Sequence, residues 1–172
     1  MIILIIGDPY KFSLLIEMID AWNIDETFCN GVLLFSIDGN YFPKEITTTA
    51  LKGELRHLRE KLLNPVVNEK IFDMQTTQAF AEIHNIVFPE DINVYNDYSY
   101  DISPESFLDN DYFTFFVSNG DKVRIIAAYL EEYIMSESRY NLQNANILET
   151  IITVEELKEM ILKLDNFLME IK

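Results

Sequence analysis

Cysteine, histidine, glycine, proline and basic residues are all scarce in this chain, and each scarcity removes a class of function. Cys29 is the single cysteine among 172 residues, so no internal disulfide can form and nothing marks the chain for an oxidising compartment. The 2 histidines, His57 and His84, fall short of the ligand set of a zinc site. Lys and Arg number 13 against 29 Asp and Glu, a formal net charge of −16 that repels DNA, RNA and anionic membranes. With 5 glycines and 5 prolines there is no linker or low-complexity tract. The apolar lead-in Met1 to Ile6 lacks a basic flank and is far shorter than the roughly 20 residues of a membrane span. The expectation is a soluble, cytoplasmic protein that takes neither nucleic acid nor membrane as a partner.

Apolar residues are plentiful at 49%, with 12 Phe and 9 Tyr, enough for one core, so residues 1–172 are expected to form a single domain. Asp38-Gly39 and Asn119-Gly120 each stand between apolar alternating runs, the pattern of a hairpin with a type I′ turn. Phe12, Leu14, Ile16 and Met18 alternate with Lys11, Ser13 and Glu17, and Asn30-Gly31 leads into the apolar run Val32 to Ile37. These make an N-terminal β-meander. In the later hairpin, Phe113, Phe115 and Val117 are expected to share a buried face with Val123, Ile125 and Ala127.

Helical spacing is clear in Leu51, Leu55, Leu58 and Leu62, which follow Thr47-Thr48-Thr49 and stop at Asn64-Pro65. A second helix starts at the capping-box pair Thr153 and Glu156 and carries the stripe Leu157, Ile161, Leu164, Leu168 and Ile171. A shorter helix is expected over 77–86, and Ser103-Pro104-Glu105 resembles a helix start. The predicted fold class is α+β, a mainly antiparallel sheet built from the meander and the later hairpin and packed by two to four helices.

Searching for chemistry yields candidates that each miss a required part. Gly7-Asp8-Pro9-Tyr10-Lys11 follows an apolar strand, as in a phosphate loop, but Phe12-Ser13-Leu14 stands where the second Gly and its Lys-Ser/Thr pair belong. Glu155, Glu156 and Glu159 resemble the Glu-Glu-x-x-Glu helix of metal-dependent nucleotide pyrophosphatases, yet only Asp165 and Glu170 remain downstream, and an acidic first turn also suits the helix dipole. Cys29, His57 and His84 have no signature of a nucleophilic site around them. Trp22 is expected as a core or rim aromatic. No catalytic residue, metal or cofactor is assigned, and the chain is not expected to be an enzyme.

The stretch from Glu90 to Asp111 is different in kind. It holds seven carboxylates and no Lys or Arg, with Tyr95, Tyr98 and Tyr100 set among them. Carboxylates attract basic surfaces, and tyrosines offer rigid contact area at low entropic cost. Asp91, Tyr95, Asp97, Tyr98, Tyr100, Asp101, Glu105, Asp109 and Asp111 are therefore the candidate partner-binding residues, on an expected long polar excursion from about Phe88 to Asn110. Two other classes remain open, a small metal-dependent hydrolase and an acidic structural or adaptor protein.

Gly7-Asp8-Pro9-Tyr10-Lys11-Phe12, Trp22-Asn23, Asn30-Gly31-Val32-Leu33, Ile37-Asp38-Gly39 and Phe42-Pro43 together resemble the opening of a family of bacterial polymorphic-toxin immunity proteins, the one numbered forty-two in that series. The resemblance implies a small cytoplasmic protein that binds and neutralises a cognate toxin, and it implies no catalytic residues. A toxin with a basic surface, such as a nuclease, would complement the acidic segment.

Overall fold

The computed structural model of the protein describes residues 2–23, 29–131, 133–134, 139–142 and 145–171. Strands β1 (Ile2–Gly7), β2 (Phe12–Met18), β3 (Asn30–Ile37) and β4 (Asn40–Phe42) form an antiparallel meander, and β5 (Thr49–Ala50) adds to β3. Next come helices α1 (Leu51–Leu62), α2 (Glu69–Phe72), α3 (Thr76–Val87) and α4 (Glu105–Leu108), the second and fourth being single turns. Strands β6 (Tyr112–Ser118) and β7 (Lys122–Tyr129) follow, then the short pair β8 (Tyr133–Ile134) and β9 (Arg139–Tyr140), strand β10 (Ile147–Thr153) and helix α5 (Val154–Glu170). A second sheet has the order β10-β7-β6. The fold is α+β, as expected, with one more α-helix than the expected upper number.

The first hairpin forms as the sequence predicts. Ile37 pairs with Asn40, so Asp38 and Gly39 are the whole loop, with φ of 49° and 75°, the type I′ combination. The later hairpin does not. Ser118 pairs with Val123, only Gly120 takes a positive φ in the turn, and the Asn119 side chain accepts hydrogen bonds from the Asp121 and Lys122 amides. That register pairs Phe115 with Ile126 and Phe113 with Ala128, which places Val123, Ile125 and Ala127 on the opposite face from Phe113, Phe115 and Val117.

Both faces of this hairpin are nonetheless buried. One joins Leu14, Ile16 and Phe35 of the first sheet and the apolar stripes of α1 and α5 in the larger core; the other meets Ile71, Phe80, Ile83 and Val87 of α2 and α3 in a second core. All of Leu51, Leu55, Leu58 and Leu62 are buried. The stripe of α5 runs through Leu157, Met160, Leu164, Phe167 and Ile171, with Ile161 and Leu168 at its margin, because the helix sits rotated toward β1 and α1. The capping box is present, with Glu156 also bonded to Lys11, which gives that glutamate a structural task. Thr49 does not cap α1; it pairs as a strand residue with Gly31, and its hydroxyl meets Ser106. Trp22 lies on the rim, 41% exposed.

One charge enters the central sheet. Arg124 is 5% exposed and spends its guanidinium on Glu149 (2.6 Å), the carbonyls of Phe72 (2.8 Å) and Met74 (2.6 Å), and the Thr76 hydroxyl (3.2 Å). It ties β7 to the connection between α2 and α3. His84, in the last turn of α3, sits among Phe80, Phe88, Phe113, Phe115 and Tyr140, and its Nε2 is buried without a hydrogen-bond partner among the described residues. Burial holds the imidazole down at about 4, against an ordinary 6.5. No helix among the described residues is long and apolar enough to cross a membrane.

Replacing Arg124 by Met strands the Phe72 and Met74 carbonyls and is expected to lower the unfolding free energy by about 3 kcal/mol. Glu149→Gln, at a half-exposed carboxylate, should cost under about 1 kcal/mol in the same urea titrations. For His84, the unfolded chain binds a proton below pH 6.5 while the folded chain resists it until about pH 4, so stability falls as pH drops through that window. The loss from His84 is expected to be about 2 kcal/mol between about pH 7 and about pH 5. His84→Phe should flatten that slope, as read by urea midpoints at the two pH values.

Candidate functional site

The acidic stretch divides at Tyr100. Every residue from Glu90 to Ser99 is exposed, whereas Tyr100, Asp101, Ile102, Ser103 and Pro104 are all buried. The cause is the outer edge of the central sheet. Among the described residues strand β6 has no strand neighbour on one side, and an open edge in a core needs partners for its amides and carbonyls. Val66 and Asn68 bond Ser118 at one end, and Ile102 and Ser103 bond Thr114 at the other. The expected polar excursion is thus only half an excursion. Its second half is the cover of β6.

Two candidate residues go inside with that cover. Tyr100 is 6% exposed and its hydroxyl accepts a hydrogen bond from the Asn68 amide group (3.2 Å). Asp101 is 1% exposed, paired with Lys61 Nζ at 2.8 Å and accepting the Ser103 amide at 2.9 Å. Lys61 also reaches the Ser103 carbonyl, so the ion pair locks the covering segment onto α1. Both side chains are buried and spend their polar atoms inside the fold.

Glu90 to Ser99 forms a loop that leaves α3 and returns to it. The return leg is pinned to the helix end: Asn96 Nδ2 donates to the Val87 carbonyl at 2.8 Å and the Asp97 amide to the Ile86 carbonyl at 3.1 Å, which satisfies carbonyls that a helix terminus leaves open. Asp91 accepts from the backbone and side chain of Asn93, and Asp97 from the amide and hydroxyl of Ser99. Those bonds build tight turns from single carboxylate oxygens and hold the Asp91 carboxyl below the usual carboxylate range. The loop is therefore preorganised by its own acids.

On this frame the bulky side chains point outward. Ile92 is 97% exposed, Tyr95 95%, Tyr98 54% and Val94 53%. Tyr95 and Tyr98 were among the candidates read from the sequence; Ile92 and Val94 were not, although two aliphatic residues inside a run of Asp and Asn are a signal in themselves. Behind the loop a cleft of about 580 Å³ opens between His84, Phe88, Asn96, Phe113, Tyr140 and Leu142. Of the remaining candidates, Glu105 and Asp109 are exposed on and after α4, whose first two amides are held by the Glu54 carboxylate. Asp111 is half-buried, takes a positive φ of 60° and accepts the Tyr140 hydroxyl at 2.5 Å.

The candidates for chemistry do not assemble. No group of three or more His, Cys, Asp and Glu that could hold a metal occurs among the described residues. Cys29 is half-buried beside the Met18 sulfur at 3.5 Å, and burial pushes its thiol up, away from the reactive thiolate.

No curated protein matches this chain. Among solved structures it is similar to the crystal structure of CdiI from Burkholderia dolosa AUO158, with a TM-score of 0.76 and 20% sequence identity over 95% of this chain and 99% of that one. At that identity the likeness establishes a shared fold. The family model described as Immunity protein 42 matches residues 1–167, well beyond the N-terminal motifs that first suggested it, and the chain belongs to that family.

Proposed function

We propose that the protein neutralises a cognate toxin by setting the outer loop, Glu90 to Ser99, into a basic surface on that toxin. The observation that carries this reading is the near-complete exposure of Ile92 and Tyr95, at 97% and 95%, on a loop whose backbone is pinned at its base and turned by its own carboxylates. A soluble fold that leaves an aliphatic and an aromatic side chain in water at a rigid tip has strong reason to bury them elsewhere. Rigidity lowers the entropy lost on binding.

Asp91, Asp97, Glu105, Asp109 and Asp111 supply the surrounding negative charge, and with the net charge of −16 they steer a basic partner inward. A nuclease, whose substrate groove carries positive charge, is the toxin class that fits this combination. Membership of an immunity-protein family supports the same reading.

Binding of the cognate toxin domain tests it. Ile92→Ala with Tyr95→Ala is expected to weaken affinity by about tenfold or more, mainly through faster dissociation. Asp91→Asn, Asp97→Asn and Asp109→Asn together should slow association and flatten its dependence on salt. If both variants bind and protect cells as the parent does, the loop is not the interface.

A further inference from the structure

A second cleft, of about 430 Å³, lies at the junction of the two sheets between the segment Tyr41 to Glu45 and the ends of β6 and β7. Its floor is a cross-strand pair. Tyr112 and Tyr129 face each other in the register and stack with ring centroids 4.6 Å apart and planes inclined by 26°. Phe42 meets Tyr112 edge-on at 5.4 Å, and this contact fixes the inner ring. Tyr112 is 6% exposed, lines the cleft, and its hydroxyl makes no hydrogen bond among the described residues. Tyr41, 58% exposed, and Tyr129, 41% exposed, bring two more aromatic rings to the walls.

The rim is charged. Glu45 and Glu131 are both exposed there, and neither has an ion-pair partner among the described residues. Burial, and then the nearby Glu45 carboxylate, push the Tyr112 phenol up, so it stays neutral and can accept a hydrogen bond. Lys44 shares the rim without pairing either glutamate. A π face, a neutral unpartnered phenol oxygen and two free carboxylates complement one kind of group, a planar cation that stacks and donates several hydrogen bonds.

We propose that this cleft is an arginine pocket, and that it takes an arginine side chain of the toxin. That the arginine belongs to a toxin rests on the function proposed above; the guanidinium chemistry of the cleft stands on the tyrosines and glutamates alone. Residues 140–142 contribute to both clefts, Tyr140 and Leu142 to the first and Asn141 to the second, and a partner seated on the outer loop is proposed to extend along this segment to the second.

The test uses the full chain and N-acetyl-arginine amide as probe, followed by NMR of the tyrosine rings. Saturable shifts of Tyr112 and Tyr129 are expected, with N-acetyl-citrulline amide at least about fivefold weaker because it lacks the charge. Tyr129→Ala, Glu45→Gln and Glu131→Gln should each weaken the arginine probe severalfold, whereas Lys44→Gln should tighten it by removing like charge. Equal response to the citrulline probe, or unchanged binding in the glutamate variants, overturns the pocket. Against the toxin domain, Glu45→Gln with Tyr129→Ala is expected to lower affinity about tenfold. Full toxin affinity in that variant overturns the assignment of the pocket to the interface. The Ile92→Ala, Tyr95→Ala variant should keep the parent response to the arginine probe, so failure of the loop and failure of the pocket give different results.

Discussion

The hairpin of β6 and β7 is buried on both faces, and the rest of the molecule is arranged to cover it. A sheet with two apolar faces needs a layer on each side, and the meander with α1 and α5 supplies one while α2 and α3 supply the other. Its single guanidinium, Arg124, can exist there only because a glutamate, two carbonyls and a hydroxyl converge on it. The open edge of β6 is closed by two segments from outside the sheet, one preceding α2 and one preceding α4. Covering that edge consumes Tyr100 to Pro104 and leaves the residues before them, Glu90 to Ser99, on an exposed loop.

Tyr100 marks the boundary between two uses of the same composition. On one side, carboxylates and tyrosines stand in water on a loop braced against α3; on the other, Asp101 is desolvated and must be paired with Lys61 and a backbone amide. The outer acids remain available to a partner because only one oxygen of each is needed for a turn. The inner acid is consumed by folding. The loop and the larger cleft lie beside α3, and the tyrosine pair lies on the other face of the hairpin, toward the first sheet.

Much of the fold was legible from residue patterns. The helix Leu51–Leu62, the capping box at Thr153 and the Asp38-Gly39 turn all follow from local spacing, since helical periodicity, caps and tight turns are set by neighbours in sequence. The second hairpin was misjudged in its facing, because register depends on how many residues the turn absorbs, and every residue of Tyr112–Ser118 is buried. With no exposed face, alternation carries no signal. On α5, which does have an exposed face, Met160 and Phe167 joined the stripe because packing against β1 and α1 set the helix's rotation.

For the candidate site, composition located the segment and could not divide it. Charge, tyrosine content and the missing phosphate-loop, metal and nucleophile parts are properties of the chain itself, and they point to a partner-binding acidic protein. Which of those residues stay exposed was decided by hydrogen-bond demand at an edge strand, which drew Tyr100 and Asp101 inward and left Ile92 and Tyr95 outside. The stacking of Tyr112 on Tyr129 beneath Glu45 and Glu131 likewise has no sequence signature, because it joins segments that only the packing of two sheets brings together. The sequence determined the charge and the local elements; the tertiary structure decided which side chains stay exposed, because burial is set by contacts between distant segments.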